Sequence, residues 1–315
     1  MSSDARCDVV IPTHERPKKL RALLASLAQY AGEGLGEVIV VDDSARPSVA
    51  PQEFPDLRLR LLRIERRLLI SEARNRGLRE SHSEFVLAID DDNVIGADTV
   101  RHPLGHLVDH PGTAAVMPSV LYRSRPDLVW VYATPFRADR WHFDLLGRNR
   151  PRDPALEGRL WATDALPNAV FLRTDVGRAL GWYDERRFPV SSSADFCQRL
   201  KREGHAVWAD AAAFTYHDVE PPGAPGFAAA HSVDPVRLYY DKRDWFEFQQ
   251  GIRPGERAFA VRALWHSAPS LAGSFASFLI RPDAPVIPLT VQMIRAVRDG
   301  LGARGHGPSP AQLPA

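Results

Sequence analysis

Three consecutive carboxylates, Asp90 to Asp92, directly follow the apolar run Phe85–Ile89. An apolar run of this length predicts a strand that is buried on both faces. At an effective dielectric of about 20, adjacent like charges at the end of such a strand repel by several kcal/mol unless a cation or a basic side chain neutralises them. Short carboxylates without clustered Cys or His favour Mg²⁺ or Mn²⁺, held together with substrate phosphates. An exposed acidic turn that caps the following helix is the alternative that this run leaves open.

Two further polar clusters follow apolar runs of the strand type. Residues 13–16 come after the run 8–11, and Asp42 and Asp43 come after the run 37–41. Helical spacing of apolar residues between these runs predicts alternating strands and helices, and hence a parallel, doubly wound sheet. Ligands of such a sheet bind beyond the carboxyl ends of its strands. We therefore expect all three polar clusters at one edge, although each alone is explained by loop polarity.

The composition of the 315-residue chain is that of an ordinary globular protein, with 44% hydrophobic residues. Forty basic and 39 acidic residues leave a net charge of +1, which gives no case for nucleic-acid binding. The two cysteines, Cys7 and Cys197, form no disulfide framework and suit a reducing compartment. Because the N-terminus lacks the pattern of a signal peptide and no apolar run reaches about 18 residues, we expect a cytoplasmic protein.

Four segments, in this order and spacing, resemble the nucleotide-sugar-binding half of the family 2 glycosyltransferases with the GT-A fold. They are residues 10–17, 40–44, 73–77 and 89–93. The resemblance covers roughly residues 8–220, and residues 235–245 also resemble a later helix of the family, with Asp244 in place of the usual Asn. It implies an α/β fold, Rossmann-like, with a mostly parallel central sheet and flanking helices. It also implies inverting, usually metal-dependent transfer of a sugar from a nucleoside diphosphate.

The resemblance assigns the donor nucleotide to the first half of the chain. By the family's pattern, Pro12, Thr13 and Glu15 would line the nucleoside pocket. Asp43 would accept a hydrogen bond from the base, and Arg74 would lie close to the nucleotide. These roles follow from the resemblance and not from the spacing of the residues.

The same resemblance makes Asp90 and Asp92 the Asp-x-Asp metal motif, with Asp92 as the best candidate for direct contact with Mn²⁺ or Mg²⁺. Strand alternation would put both side chains on one face, while a bend at the strand end could bring Asp91 to the ribose. His217 is the candidate for a further metal ligand, because a His near this point can complete metal coordination in the family. An ordinary polar residue at a strand end is the alternative for His217.

The catalytic base is missing from its expected place. The family normally has a Glu-Asp pair just before an Asp/Glu-Leu-x-x-Arg helix, and the Asp of that pair deprotonates the acceptor. Here Ser192 and Ser193 take those positions, which leaves Asp195 as the candidate base. Asp195 equally suits a structural role, since an acid in the first helical turn complements the dipole and Arg199 lies at i+4. The sequence also allows a substitute base such as Asp164, or a chain that is not a conventional transferase.

The resemblance also sets the expected domain boundaries. We expect a GT-A-like glycosyltransferase domain at residues 1–220, a linker and helical C-terminal extension at 221–303, and a disordered tail at 304–315. Residues 256–280 predict an amphipathic helix that packs on the main domain or lies on a membrane surface. A last helix is expected from about 290 to 301, after a run of prolines.

Together these features predict a hexosyl- or deoxyhexosyltransferase that uses a UDP- or dTDP-sugar. Its acceptor would be a hydroxyl of a glycan, a lipid-linked glycan or a small natural product, with no nucleic acid and at most peripheral membrane contact. A catalytically silent nucleotide-sugar-binding or scaffold protein is the alternative that Ser192 and Ser193 suggest. A nucleotidyltransferase shares a Rossmann-like core and an acidic metal site, but normally has a Gly-rich loop and a Lys where this chain has residues 12–16.

Overall fold

The computed structural model of the protein describes residues 6–222, 234–256, 258–280 and 284–302. The strands of these ranges are, in chain order, β1 (Cys7–Thr13), β2 (Leu35–Asp42), β3 (Arg58–Arg63), β4 (Phe85–Ile89), β5 (Asn93–Ile95), β6 (Thr113–Tyr122), β7 (Val129–Val131), β8 (Phe136–Arg137), β9 (His142–Phe143), β10 (Leu160–Ala162), β11 (Ala169–Arg173) and β12 (Ala206–His217). The helices are α1 (Pro17–Gln29), α2 (Ile70–Arg79), α3 (Ala97–Asp109), α4 (Thr174–Ala179), α5 (Ser192–Arg202), α6 (Pro235–Ile252), α7 (Phe259–Ile280) and α8 (Val286–Leu301).

In the described residues, the central sheet has the strand order β10-β12-β6-β11-β4-β1-β2-β3. The part from β4 to β3 is parallel, whereas β11 is antiparallel to both β4 and β6. The predicted α/β fold with a mostly parallel central sheet, flanking helices and C-terminal helices is therefore confirmed. As expected, the carboxyl ends of β1, β2 and β4 lie at one edge of the sheet.

Helices on both faces of the sheet explain the continuous apolar run of β4. Phe85, Leu87 and Ile89 pack in the cluster that contains the apolar residues of α1 and α3. Val86 and Ala88 point to the other face and pack in the cluster that contains residues of α2 and α5. Because successive side chains of a strand alternate between faces, a strand covered on both sides needs an apolar residue at every position.

The C-terminal helices pack on one another beside the sheet. Helix α6 contributes Leu238, Tyr239 and Tyr240 to apolar clusters that also contain residues of α8. Helix α8 begins at Val286 and not near residue 290, because Pro288 falls in its first turn, where N–H groups have no helical partner anyway. None of the helices in the described ranges is both long enough and apolar enough to cross a membrane. The predicted tail and most of the predicted linker lie outside the described residues.

Asp8 links the start of β1 to β2 and to the loop before β4. Its carboxylate accepts hydrogen bonds of 2.7–3.0 Å from the backbone N–H groups of Glu37, His82 and Ser83 and from the hydroxyls of Ser81 and Ser83. Burial raises the pKa of Asp8, but these hydrogen bonds more than offset it, so the pKa lies below its ordinary value. The carboxylate form of Asp8 therefore stabilises the fold.

We expect Asp8→Ala to lower the free energy of unfolding by about 3 kcal/mol, because several buried donors lose their acceptor. Since the pKa of Asp8 is depressed in the fold, this contribution is complete above the unfolded-state pKa of about 3.9. It is lost as the pH falls through the folded-state value. Urea unfolding at neutral pH and at several acidic pH values would measure both effects. The control Asp56→Ala, at an exposed turn, should change stability by less than about 0.5 kcal/mol; equal effects of the two variants would contradict the prediction.

Candidate active site

The polar residues that follow β1 and β4 are in direct contact. Thr13 Oγ1 donates a hydrogen bond of 2.7 Å to Asp91 Oδ2. Arg16 Nη1 donates to Asp91 Oδ1 at 3.2 Å and to Asp92 Oδ2 at 3.1 Å. Two of the three clusters expected at one edge of the sheet thus form a single site. We call residues 90–92 the acidic turn.

The strand alternation expected for Asp90 and Asp92 does not hold over the acidic turn. Strand β4 ends at Ile89, and Asp91 and Asp92 lie in the turn before β5. Arg74 donates to Asp90, whereas Arg16 contacts the other two carboxylates. Because the chain turns after Ile89, Asp91 and not Asp90 shares a cationic partner with Asp92.

Burial and nearby charges give the neighbouring carboxyls of Asp91 and Asp92 different pKa values. Burial raises the pKa of Asp91 to about 6, with the hydrogen bond from Thr13 and the charge of Arg16 acting against it. Burial also acts to raise the pKa of Asp92, but the hydrogen bond and charge of His217, together with the charge of Arg16, hold it at about 2. Asp92 is therefore ionised across the neutral range and attracts cations most strongly.

His217 lies against the acidic turn. Its Nε2 is 3.5 Å from Asp92 Oδ1, because β12 pairs with β5 and sets His217 opposite Asn93. The Asp218 N–H also donates to the Asp92 carbonyl at 2.7 Å. The rings of Trp130 and His217 pack nearly perpendicular to each other, with their centres 5.1 Å apart. The Nδ1 atom of His217 is buried and has no hydrogen-bond partner among the described residues.

The side chains of the described residues do not form a closed metal site of three or more His, Cys, Asp or Glu ligands. Asp92 from the acidic turn and His217 from the end of β12 instead converge and offer one oxygen and one nitrogen ligand. Mg²⁺ and similar hard divalent cations are commonly held by one or two protein ligands together with substrate phosphates and water. The residues present therefore fit a divalent cation whose coordination is completed by a diphosphate.

Asp43, the predicted base-binding residue, lies just past β2 at the same edge. Its backbone N–H donates to the Thr13 carbonyl at 3.3 Å, which places it beside the end of β1. The Asp43 carboxylate accepts a hydrogen bond from the Leu68 N–H, and its other oxygen lies 3.0 Å from His14 Nδ1. The carboxylate is thus held in one orientation by two partners.

Glu15 links the loop after β1 to the loop after β2. It has a positive φ of 53°, a conformation that is uncommon outside glycine. Its N–H donates to Ser44 Oγ at 2.7 Å, and its carboxylate accepts from the Ala45 N–H at 2.7 Å. Pro12 and Thr13 pair with β2 just before this point. The predicted nucleoside-lining residues are therefore neighbours, and their contact with a nucleotide stays a prediction.

Arg74 is buried on α2 and contacts the acidic turn through Asp90. Its guanidinium donates to Asp90 and lies 5.7 Å from the centre of the Tyr183 ring. Burial acts to lower the pKa of Arg74, but the charge and hydrogen bond of Asp90, together with the charges of Tyr183 and Asp92, outweigh it and raise the pKa above its ordinary value. In this arrangement Arg74 holds Asp90 in place, and its predicted proximity to the nucleotide stays a prediction.

Both base candidates named from the sequence are engaged in structural contacts. Asp195 Oδ2 accepts a hydrogen bond of 2.7 Å from Arg199 Nε, which also donates through its other nitrogens to the carbonyls of Leu180 and Trp182. Asp164 accepts from Lys201 and, at 2.8 Å, from the Phe136 N–H. The contacts of Asp195 support the helix-stabilising alternative.

A carboxylate that sequence reasoning missed lies at the start of α5. Asp241, on α6, accepts a hydrogen bond of 3.3 Å from Ser191 Oγ. One turn later, Asp244 accepts from the N–H groups of Val190 and Ser191 at 3.1 and 3.0 Å. The resemblance of residues 235–245 to a family helix was visible in the sequence, but only the packing of α6 on α5 shows that Asp241 contacts Ser191, the residue just before the two serines that replace the base pair.

Comparison with known proteins assigns this arrangement to a family. The family model described as Glycosyl transferase family 2 matches residues 8–174, which is more than half of the chain. An uncharacterized glycosyltransferase of Haemophilus influenzae is 32% identical over 85 residues, or 27% of this chain and 29% of that protein. The matched region thus spans less than a third of that relative.

Solved structures of low sequence identity share the fold. The mannosyltransferase PcManGT from Pyrobaculum calidifontis, in complex with GDP-Man and Mn²⁺, has a TM-score of 0.58 at 18% identity, over 95% of this chain and 88% of that chain. GalNAc-T7, with UDP, GalNAc and Mn²⁺, has a TM-score of 0.55 at 14% identity, over 84% and 54%. At these identities the likeness shows the GT-A fold alone. With the family match extending over β1 to β11 and the acidic turn, the chain belongs to glycosyl transferase family 2.

Proposed function

We propose that the protein transfers a hexose or deoxyhexose from a UDP- or dTDP-linked donor to an acceptor hydroxyl, with inversion at the anomeric carbon. The observation that carries this proposal is the convergence of Asp92 and His217 at the sheet edge where β1 and β2 also end. Such an edge is where open α/β sheets bind their ligands. The family membership supports the reaction class.

The donor nucleoside would lie in the loops after β1 and β2, against Pro12, Thr13 and Glu15. Asp43 accepts from the Leu68 N–H, and its carboxylate is an acceptor with further lone pairs. A uracil or thymine ring offers an imide N–H to such an acceptor. This complementarity supports a UDP or dTDP donor.

Asp92 and His217 would hold the divalent cation, with Asp90 as a further candidate. A bound cation would supply positive charge to the departing diphosphate. Arg16 adds a second positive charge at the same place, since it contacts both Asp91 and Asp92 and its side chain is 45% exposed. The protein's own contribution is thus to position and neutralise the leaving group.

The fold neighbours support a nucleotide-sugar donor in general and Mn²⁺ as the cation, and one of them was solved with UDP. PcManGT was solved with GDP-Man and Mn²⁺, and GalNAc-T7 with UDP and Mn²⁺. Mn²⁺ is therefore the first cation to test, with Mg²⁺ as the alternative. The acceptor would be a hydroxyl of a glycan, a lipid-linked glycan or a small natural product.

A catalytically silent nucleotide-sugar-binding or scaffold protein is the second candidate, and the serines at 192 and 193 favour it. Incubating the purified protein with a panel of nucleotide sugars and Mn²⁺ distinguishes the two. We expect slow hydrolysis of one UDP- or dTDP-sugar, because water replaces the missing acceptor. Tight donor binding with no turnover, also in the presence of candidate acceptors, would favour the silent protein.

A further inference from the structure

Exposed apolar side chains concentrate on the two C-terminal helices. Among the described residues, all the exposed large apolar side chains except Leu145 and Leu160 lie on α7 or α8. They are Val261, Leu264, Trp265, Phe275 and Leu279 on α7, and Ile287, Val291 and Ile294 on α8. Trp265 and Ile287 are each 77% exposed. We call these eight side chains the C-terminal apolar face.

The spacing of these residues gives each helix one apolar stripe directed outward. At 100° per residue, the five positions on α7 fall within about 100° of the helix circumference, and the three on α8 within a narrower arc. Each helix also has a buried side away from its stripe, through Ala263 and Ser274 on α7 and Leu289 and Ala296 on α8. Both helices are therefore already packed on the protein through their buried sides. The exposed apolar stripes take no part in that packing.

The charges of these helices favour an anionic partner. Helix α7 contains no acidic residue, and the charged residues of α7 and α8 are Arg262, Arg295, Arg298 and Asp299. Arg262 and Arg298 are 53% and 73% exposed, although each has a carboxylate partner, Glu256 and Asp299 respectively. Outward apolar stripes with an exposed Trp and flanking arginines are typical of helices that lie in a membrane interface.

A second copy of the chain fits this face less well. A two-fold contact would pair the same patch on both subunits, so that its three arginines, set against Glu256 and Asp299, would bring a net positive charge against the same net positive charge. Like charges at an interface oppose association. An anionic bilayer takes up the apolar stripes and attracts the arginines at the same time.

We propose that the C-terminal apolar face docks the protein on the surface of an anionic lipid bilayer, with α7 and α8 lying in the interface. The apolar side chains enter the boundary between headgroups and acyl chains, and the arginines contact lipid phosphates. This inference rests on the exposed side chains alone and does not depend on the proposed transferase activity.

Co-sedimentation of the full chain with vesicles tests this proposal. We expect binding to vesicles of equal parts phosphatidylglycerol and phosphatidylcholine, weaker binding to phosphatidylcholine alone, and a decrease with salt. The double variant Trp265→Ser with Ile287→Ser should bind at least about tenfold more weakly, since it removes two large apolar side chains from the interface. The matched control Leu145→Ser removes an exposed apolar side chain elsewhere and should bind like the wild type.

Three results would overturn the docking proposal. One is the absence of vesicle binding by the wild type, and another is equal binding by the double variant. The third is a concentration-dependent dimer, measured by analytical ultracentrifugation, that the double variant abolishes while vesicles have no effect. That last outcome would assign the face to a second copy of the chain.

A second inference concerns the missing base and rests on different contacts. Ser71 Oγ donates to Ser192 Oγ at 2.7 Å, and Ser71 lies one turn before Arg74 on α2, which holds Asp90. The start of α5 is therefore linked to the acidic turn through one turn of helix. The place where the family has its base is thus connected by direct contacts to the acidic turn, where the proposed donor diphosphate would bind.

Asp241 supplies a carboxylate at this place from another helix. Its side chain is 50% exposed, with Lys242 Nζ 3.6 Å from Oδ2 and Ser191 Oγ 3.3 Å from Oδ1. Asp244 fixes α6 against the start of α5 through two backbone hydrogen bonds. In contrast, Asp195 accepts from the guanidinium of Arg199 and is largely buried.

We infer that Asp241 accepts the proton of the attacking hydroxyl, in place of the carboxylate absent at Ser193. This inference rests on the proposed transferase function. The hydroxyl oxygen forms a bond to the anomeric carbon, while the bond from that carbon to the diphosphate oxygen breaks. The electron pair of the broken bond leaves on the nucleoside diphosphate, and the hydroxyl proton passes to the Asp241 carboxylate.

Donor hydrolysis by Asp241→Asn, Asp195→Asn and the wild type tests this role, with the donor found in the nucleotide-sugar panel. Loss of a general base lowers turnover by about 100-fold or more, and we expect this only for Asp241→Asn. Its affinity for UDP with Mn²⁺ should stay within about twofold of the wild type. Azide has no proton to lose, so it should restore donor consumption by Asp241→Asn and yield a glycosyl azide.

Several outcomes distinguish the possible roles of these carboxylates. Wild-type turnover in Asp241→Asn would overturn the inference. A loss of turnover that azide does not reverse would make Asp241 a positioning residue. If Asp195→Asn lost turnover and azide restored it, Asp195 would be the base instead. A wild-type protein that binds UDP but consumes no donor would contradict the proposed function itself, and the role of Asp241 with it.

Discussion

Asp92→Ala is expected to abolish the metal-dependent part of donor binding, with an affinity for UDP and Mn²⁺ at least about 100-fold lower. Changes to groups that merely support metal ligands already weaken metal sites by about 10- to 100-fold, and Asp92 is the proposed ligand itself. The charges around Asp92 hold its pKa at about 2, against the effect of burial. Alanine at this position would leave His217 and Arg16 without their shared carboxylate.

Isothermal titration of UDP, with and without Mn²⁺, measures this effect. The control Asp109→Ala removes an exposed carboxylate at the end of α3 and should leave the titration unchanged. Asp92→Ala should retain the same weak binding in the presence and absence of the cation. Unaltered affinity and turnover in Asp92→Ala would remove the metal role from this residue.

Asp244→Ala is expected to lower the free energy of unfolding by about 3–5 kcal/mol, the typical effect of removing one partner of a buried ion pair. Asp244 is fully buried and accepts from the Arg243 guanidinium, whose side chain is 4% exposed. It also accepts from the N–H groups of Val190 and Ser191. The variant would leave a buried guanidinium and two backbone donors without this acceptor.

Chemical unfolding of the wild type and three variants measures this prediction. Glu33→Ala removes an exposed carboxylate and should stay within about 0.5 kcal/mol of the wild type. Arg243→Met combined with Asp244→Leu should regain part of the lost stability, because it removes the unpaired guanidinium, while the N–H groups of Val190 and Ser191 still lack their acceptor. A wild-type midpoint for Asp244→Ala would show that the pair contributes little.

The sheet and its acidic edge could be predicted because their signals are local. The apolar run of β4 indicates a strand covered on both faces, and the turn of carboxylates follows it directly in sequence. The polar residues after β1 and β2 could be placed beside them, since parallel neighbours end at the same edge. The contacts of Thr13 with Asp91 confirm that these segments meet.

The remaining features depend on distant parts of the chain. Strand alternation could not predict the partners of Asp90 and Asp92, because the chain turns after Ile89. The 3.5 Å approach of His217 to Asp92 follows from the pairing of β12 with β5, and no local pattern specifies that pairing. Asp241 reaches the start of α5 only through the packing of α6.

A crystal structure with Mn²⁺ and UDP or dTDP would show whether the acidic turn binds the cation and the diphosphate. Anomalous scattering identifies the manganese position without reference to the protein chemistry. We expect the ion within coordination distance of Asp92, with His217 or Asp90 beside it and the diphosphate on its open side. Well-ordered nucleotide and manganese bound away from the acidic turn would contradict the account.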